Sequence, residues 1–254
     1  KDKANYTRDN IEKAVNIGES MSKTAGDCSF YNDLLFMLAN LYCFRLHNFE
    51  KALKTYKKLL EVSPATKWKD VCRDRIELIE DNLTNREVLK MYVTAEKNFE
   101  NLEFDEAEKY LKKILKNYRG MKIAGNAYYF LGDIHYYKYN DLDKANKYYT
   151  DFFKDYPEHP LSRNALYKSG EILRKLQRWE EAADIYKKYI EKFKDTSFVE
   201  DAYFFLGDCY YNLGRLRAAK NSFSLILGDY PDSKWTEVIY HKIQEINSKL
   251  KKAY

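Results

Sequence analysis

Residues 201–231 read DAYFFLGDCYYNLGRLRAAKNSFSLILGDYP, and the spacing within them decides the fold. Ala219 is followed four residues on by Phe223 and then by Ile226-Leu227, which keeps one face of a helix apolar at spacings of three and four. The same pattern recurs along the chain. An alanine column runs through Ala14, Ala52, Ala107, Ala145, Ala182 and Ala219, at spacings of 38, 55, 38, 37 and 37. Four residues beyond each of the last five stand Tyr56, Leu111, Tyr149, Tyr186 and Phe223. Upstream of each lies a second amphipathic segment with a very small residue at one position, namely Ala39, Ala95, Gly132, Gly170 and Gly207. A Gly inside a helix costs about 1 kcal/mol relative to Ala, so three at one repeat position predict a compensating close approach of two helices. A period in this range is the signature of a stack of helix pairs.

Composition agrees. The chain has 254 residues, 45% of them hydrophobic, with only 9 Gly and 4 Pro, enough to bury a core but poor in the turn formers a many-stranded sheet needs. No apolar run approaches the length of a membrane-spanning helix. A net charge of +5 from 44 basic and 39 acidic residues points to neither nucleic acid nor a strongly anionic membrane. Cys28, Cys43, Cys72 and Cys209 show no CxxC or Cys/His clustering, so they are expected to be apolar fillers rather than zinc ligands or a redox pair. There is no GxGxxG, Walker-type, HExxH or GxSxG motif. His47, His135, His159 and His241 lie in separate repeats, and His135 stands where a later repeat has Tyr210. Nothing calls for catalysis, a cofactor or a metal.

Leu131-Gly132, Leu206-Gly207, Tyr210, Gly214, Ala219, Phe223 and Pro231 resemble the tetratricopeptide repeat (TPR) signature, and Ala145, Tyr149 and Pro157 repeat its second half. The period of 37 exceeds the usual 34 of that family. Segments such as YPEHPLSRNALYKSGEIL and YPDSKWTEVIYHKI are similar to the longer repeats of bacterial envelope proteins of the BamD type and the Tol-Pal-associated coordinator type. The resemblance implies an all-α, right-handed superhelical solenoid of antiparallel helix pairs, with roughly five repeats, an N-terminal half repeat and capping helices.

The spacing of 55 exceeds the period by one helix and a turn. The surplus segment, Pro64-Ala65-Thr66-Lys67-Trp68 with Val71, Ile76 and Ile79, parallels Pro231-Asp232-Ser233-Lys234-Trp235 with Val238, Ile243 and Ile246. By analogy with the second, which ends the array, the first is expected to cap as well. This divides the chain into an N-terminal module, 1–83, with capping helix 66–82, and a C-terminal module, 85–254, of four repeats with capping helix 232–252. One continuous array enclosing helix 66–82 is the alternative. Residues 8–23 resemble a second helix lacking its first, which suggests further repeats upstream.

In the resembled family the first helices line a concave groove. The resemblance therefore assigns partner contact to an aromatic column, Phe36, Tyr92, Tyr129, Tyr167 and Phe204. Four residues on, and so on the same helical face, stand Asn40, Glu96, Asp133, Glu171 and Asp208. Three further come Cys43, Phe99, Tyr136, Arg174 and Tyr211, and three residues ahead of the aromatics stand Asn126, Asn164 and Asp201. Aromatic anchors beside solvent-facing carboxylates suit a polypeptide with apolar and basic residues. Lysine doublets at 57–58, 112–113 and 187–188 fall on the outer side of the second helices and are expected to be a solvated face. Aromatic and basic residues on opposite faces argue against single-stranded nucleic acid. The expected function is a non-catalytic scaffold or adaptor that holds a partner polypeptide, in assembly of a bacterial cell-envelope complex in the periplasm. A cytoplasmic location, a regulatory region of a larger multidomain protein and a self-associating component remain alternatives.

Overall fold

The structure is a computed structural model and describes residues 8–24, 29–194 and 198–252. Thirteen α-helices occupy the described residues, which contain no strand: α1 (Arg8–Thr24), α2 (Ser29–Asn40), α3 (Phe49–Val62), α4 (Lys69–Asn82), α5 (Arg86–Glu100), α6 (Phe104–Asn117), α7 (Lys122–Asp133), α8 (Leu142–Asp155), α9 (Ser162–Lys175), α10 (Trp179–Lys192), α11 (Val199–Asn212), α12 (Leu216–Asp229) and α13 (Thr236–Lys252). Five helix pairs, α2/α3 through α11/α12, form the repeats, and each alanine of the column from Ala52 onward is fully buried. The chain is an all-α solenoid of the TPR type.

The small-residue column does what its spacing predicts. A Cβ added to Gly132 would lie 2.5 Å from the Tyr149 ring, one on Gly170 2.7 Å from Tyr186, and one on Gly207 2.6 Å from Phe223. Each of these three first helices thus receives a large side chain of its own second helix in the space a side chain would need.

Two first helices end in a π-helical turn, Leu41–Arg45 after α2 and Ile134–Lys138 after α7. The cause lies in the sequence. From the small-residue column to the alanine column the distance is 12 residues in three repeats but 13 from Ala39 to Ala52 and from Gly132 to Ala145. A π-turn absorbs the extra residue and leaves the packing register on both sides intact. Every helix pair then turns through one left-handed residue, five before the alanine column: His47, Leu102, Asn140, Gln177 and Gly214, with φ between 49 and 71°.

The chain divides into two compact units, Lys1–Ala127 and Tyr128–Tyr254. Within the first, α4 packs on α3 and also contacts α5, to which the ion pair Arg75–Glu96 (2.7 Å) ties it. Within the second, the core runs through Leu166, Tyr186, Tyr189 and Leu206 into Phe204, Phe223, Ile239 and Ile246.

Candidate functional site

The candidate site is the first-helix face, and at two places the chain covers it with its own tryptophans. Trp68, which precedes α4, stacks flat on Phe36 (centroids 4.0 Å apart, 5° between planes) and donates its indole N–H to Asp33 (2.8 Å). Lys67 pairs with the same carboxylate at 3.0 Å. Trp235, which precedes α13, repeats the arrangement on Phe204 (3.9 Å, 9°) and Asp201 (2.5 Å), with Lys234 at 2.8 Å from that carboxylate. The parallel between the two segments therefore extends to side-chain geometry.

The carboxylate column differs from expectation. Asp133 accepts the Tyr149 hydroxyl (2.6 Å) and pairs with Lys168 of the next first helix. Asp208 pairs with Lys242 (2.9 Å) and Arg174 (3.2 Å), and Glu96 with Arg75. Asn40 accepts the Tyr56 hydroxyl (2.5 Å). These groups are half-buried and neutralised inside the chain rather than facing solvent. For Asp133 and Asp208 the reason is geometric: the residue after the aromatic column of the next first helix, or its counterpart on α13, supplies the cation, whereas Glu96 is met by Arg75 of the preceding helix α4. Burial is the strongest single influence on Lys168 and works against its charge, but the hydrogen bond to Asp133, the charge of that carboxylate and Tyr129 together outweigh it and raise the ammonium above its ordinary value. Burial also pushes the Glu96 carboxyl above its ordinary range, against the pull of Arg75. Glu171 is raised by the same cause, with Lys175, Arg174 and Lys168 opposing.

The aromatic column divides. Tyr92 and Phe204 are buried, as is Asp201, so these three serve packing within the chain. Tyr129 and Tyr167 are half-buried. Tyr129 lies 4.9 Å from the Lys168 ammonium, and Tyr167 meets Phe198 at 5.6 Å. Phe99 packs edge-on against Phe104 (5.3 Å), and Arg174 lies over Phe205 at 4.0 Å. Asn126 is half-buried and Asn164 exposed. Tyr136 accepts from Lys175, and Tyr211 in the same way from Lys249. Tyr137, absent from the sequence-derived set, is 66% exposed and stands edge-on to Tyr136 (4.7 Å). The extra residue of the π-turn was the signal that could have found it. Likewise Lys168 and Lys242, 74 residues apart, recur two repeat periods from each other.

Cys43, Cys72 and Cys209 are buried, and burial pushes their thiols up to about 12, about 11 and about 12. Cys28 lies outside the described residues. His135 is buried and stacks on Tyr148 at 5.3 Å. Among the described residues no group of three or more His, Cys, Asp or Glu could hold a metal, and no helix is long and apolar enough to cross a membrane.

No curated protein sequence matches the chain. Three solved structures align over most of their length. YrrB, described as a TPR protein with an unusual peptide-binding site, is 17% identical over 88% of this chain and 95% of its own, with a TM-score of 0.45. BtubC (BKLC) from P. vanneervenii is 12% identical over 95% and 92% (TM-score 0.46). PilF of Pseudomonas aeruginosa is 14% identical over 86% and 97% (TM-score 0.44). Superpositions this loose carry no functional argument. The tetratricopeptide repeat family matches residues 33–66, and the YfiO family, described as outer membrane lipoprotein, matches 85–253. A match over that much of the sequence, on a framework of helix pairs, makes the chain a member of the YfiO outer membrane lipoprotein family.

Proposed function

We propose that the protein is a non-catalytic scaffold of the bacterial cell envelope that holds a partner polypeptide against the first-helix face of residues 128–254. The observation that carries this is a row of half-exposed aromatics, Tyr129, Tyr136, Tyr167 and Tyr211, on consecutive first helices where Asp133 and Asp208 are already paired within the chain. Anchors of this kind offer contact area at little entropic cost, and neighbouring groups that need no counter-ion leave the partner free to contribute apolar side chains. Asp133, Asn164, Glu171, Arg174 and Asp208 frame the row, and Asp201 and Phe204 are buried in the same unit.

The start of the family match at residue 85 supports two modules, 1–83 and 85–254, each closed by a tryptophan lock. Family membership supports a location in the envelope, facing the periplasm. The test is capture from envelope extracts by wild type, Tyr137→Ala and Tyr136→Ala. Loss of the same partner in both variants, with melting temperature unchanged, is expected. Retention of that partner would sink the proposal.

A further inference from the structure

One stripe along the first helices changes character in α5. The positions five before, one before and two after the small-residue column are Ala127, Leu131 and Ile134 in α7, Ala165, Ser169 and Ile172 in α9, and Ala202, Leu206 and Cys209 in α11. All of these are buried. In α9 and α11 the stripe faces the second helix of the pair ahead. Ser169 donates its hydroxyl to Asn146 of α8 (2.6 Å), and Ala202, Leu206 and Cys209 share a core with Ala182, Ala183 and Tyr186 of α10. In α5 the same positions hold Lys90, which is exposed, and the half-buried Thr94 and Lys97.

The cause is the surplus helix. The element directly ahead of α5 is α4, a single helix rather than a pair, and of the preceding elements α5 contacts α4 and the π-turn Leu41–Arg45. Arg86 of α5 also pairs with Glu50 at the start of α3, which sets the turn between α2 and α3 alongside the stripe. That turn adds cations to it. Burial, together with the charges of Lys90 and Lys97, holds the His47 imidazolium below its ordinary range. Burial and the charge of Arg45 lower Lys97, with Glu103 opposing. Lys90 and Lys97 form no ion pair among the described residues, and Glu50 is already engaged by Arg86. A face that only needed solvation would be met by Ser, Asn or charges of alternating sign. Basic groups brought together in partial burial instead repel one another and lower stability. An entering anion reverses the sign of that interaction.

We infer that the seam between the α2–α3 turn and α5 binds an acidic segment of a partner polypeptide, received by Lys90, Lys97 and His47. Two helical turns separate Lys90 from Lys97, about 10 Å along the axis, so the positive charge forms a stripe rather than a point. A run of carboxylates matches it along its length, whereas a single phosphate would engage one end. Thr94, between the lysines, gives its hydroxyl to the Lys90 carbonyl (2.7 Å), which leaves the cations as the groups that select the ligand. The site lies within residues 1–127 and is independent of the aromatic row in 128–254.

The test is titration of the protein with a labelled hexaglutamate peptide, with hexaglutamine as the neutral control. Saturable binding of hexaglutamate alone is expected, weakening as salt rises. Lys90→Ser and Lys97→Ser should each weaken it about five-fold, and the two together about twenty-fold, with melting temperature unchanged or raised because like charges are removed. Lys112→Ser with Lys113→Ser, which takes the same charge from exposed positions of α6, should leave binding unchanged; an equal loss there would show non-specific attraction and overturn the proposal. Absence of saturable binding, or equal binding by the Lys90 and Lys97 double variant, overturns it as well. So does tighter binding of pyrophosphate or of phosphatidylglycerol vesicles through the same two lysines, which would make the ligand a phosphate. Tyr137→Ala leaves hexaglutamate binding unchanged, so failure here is distinct from failure at the first-helix face.

Discussion

Among the described residues four non-glycine positions adopt the left-handed conformation, and at Leu102 the strain can be relieved. Leu102 adopts φ 64° with its side chain largely in solvent, so it bears the left-handed penalty of about 1–2 kcal/mol without burying anything in return. Leu102→Gly should raise stability by about 1 kcal/mol, read as a higher midpoint in thermal or urea unfolding. The opposite holds at Gly132, where a Cβ would meet the Tyr149 ring. Gly132→Ala should lose about 1–3 kcal/mol by overpacking although alanine favours the helix. Glu171 gives a pH-dependent case. Its carboxyl is raised in the folded state by burial, so folding disfavours its ionised form. The penalty is full above the raised value and disappears as pH falls through it toward 4.5. Glu171→Gln should therefore unfold at higher denaturant than wild type at pH 7, with the gain shrinking as pH falls toward 4.5. Of these positions only the glycine was legible in the sequence, because three glycines in one column have a single packing explanation. The left-handed column was hidden by having glycine only at Gly214, and the setting of Glu171 depends on neighbours from other helices.

Among the elements, the π-turns make the difference between 12 and 13 residues testable. Deleting Tyr137 should convert 134–138 to ordinary α-helix and keep the fold, whereas deleting Asn212 from the 12-residue spacing of α11 should misalign the packing faces and unfold the repeat. Circular dichroism with thermal melts of both deletions checks this. The links from α4 offer a second contrast. Arg75 and Glu96 are mostly buried, so Glu96→Ala leaves a buried cation and should cost about 3 kcal/mol. Arg215–Glu180 is half exposed at both ends, and Arg215→Ala should change stability by about 0.5 kcal/mol or less. Helix positions and both tryptophan segments were readable from periodicity. The fate of the carboxylates was not, since helical spacing tells which face a residue occupies but not which cation the next repeat brings to it. Asp133 and Asp208 share a face with Tyr129 and Phe204, as the spacing says, and they spend their charge on Lys168 and Lys242.

At the scale of the molecule, repetition replaces a central core. Within each compact unit a pair is held by its neighbours, and stability is close to a sum of local terms, which is why one family match can span 85–253 while first-helix composition varies from Tyr129-Phe130 to Tyr167-Lys168. The tryptophan locks add an optical consequence. The protein has three indoles, and Trp68 is the one that falls in residues 1–127, with Trp179 and Trp235 in 128–254. Emission from a Trp179→Phe, Trp235→Phe protein thus comes from the first half alone, and from a Trp68→Phe protein from the second. Nature has in effect dyed the two halves separately, and denaturation of each can be watched by its own light.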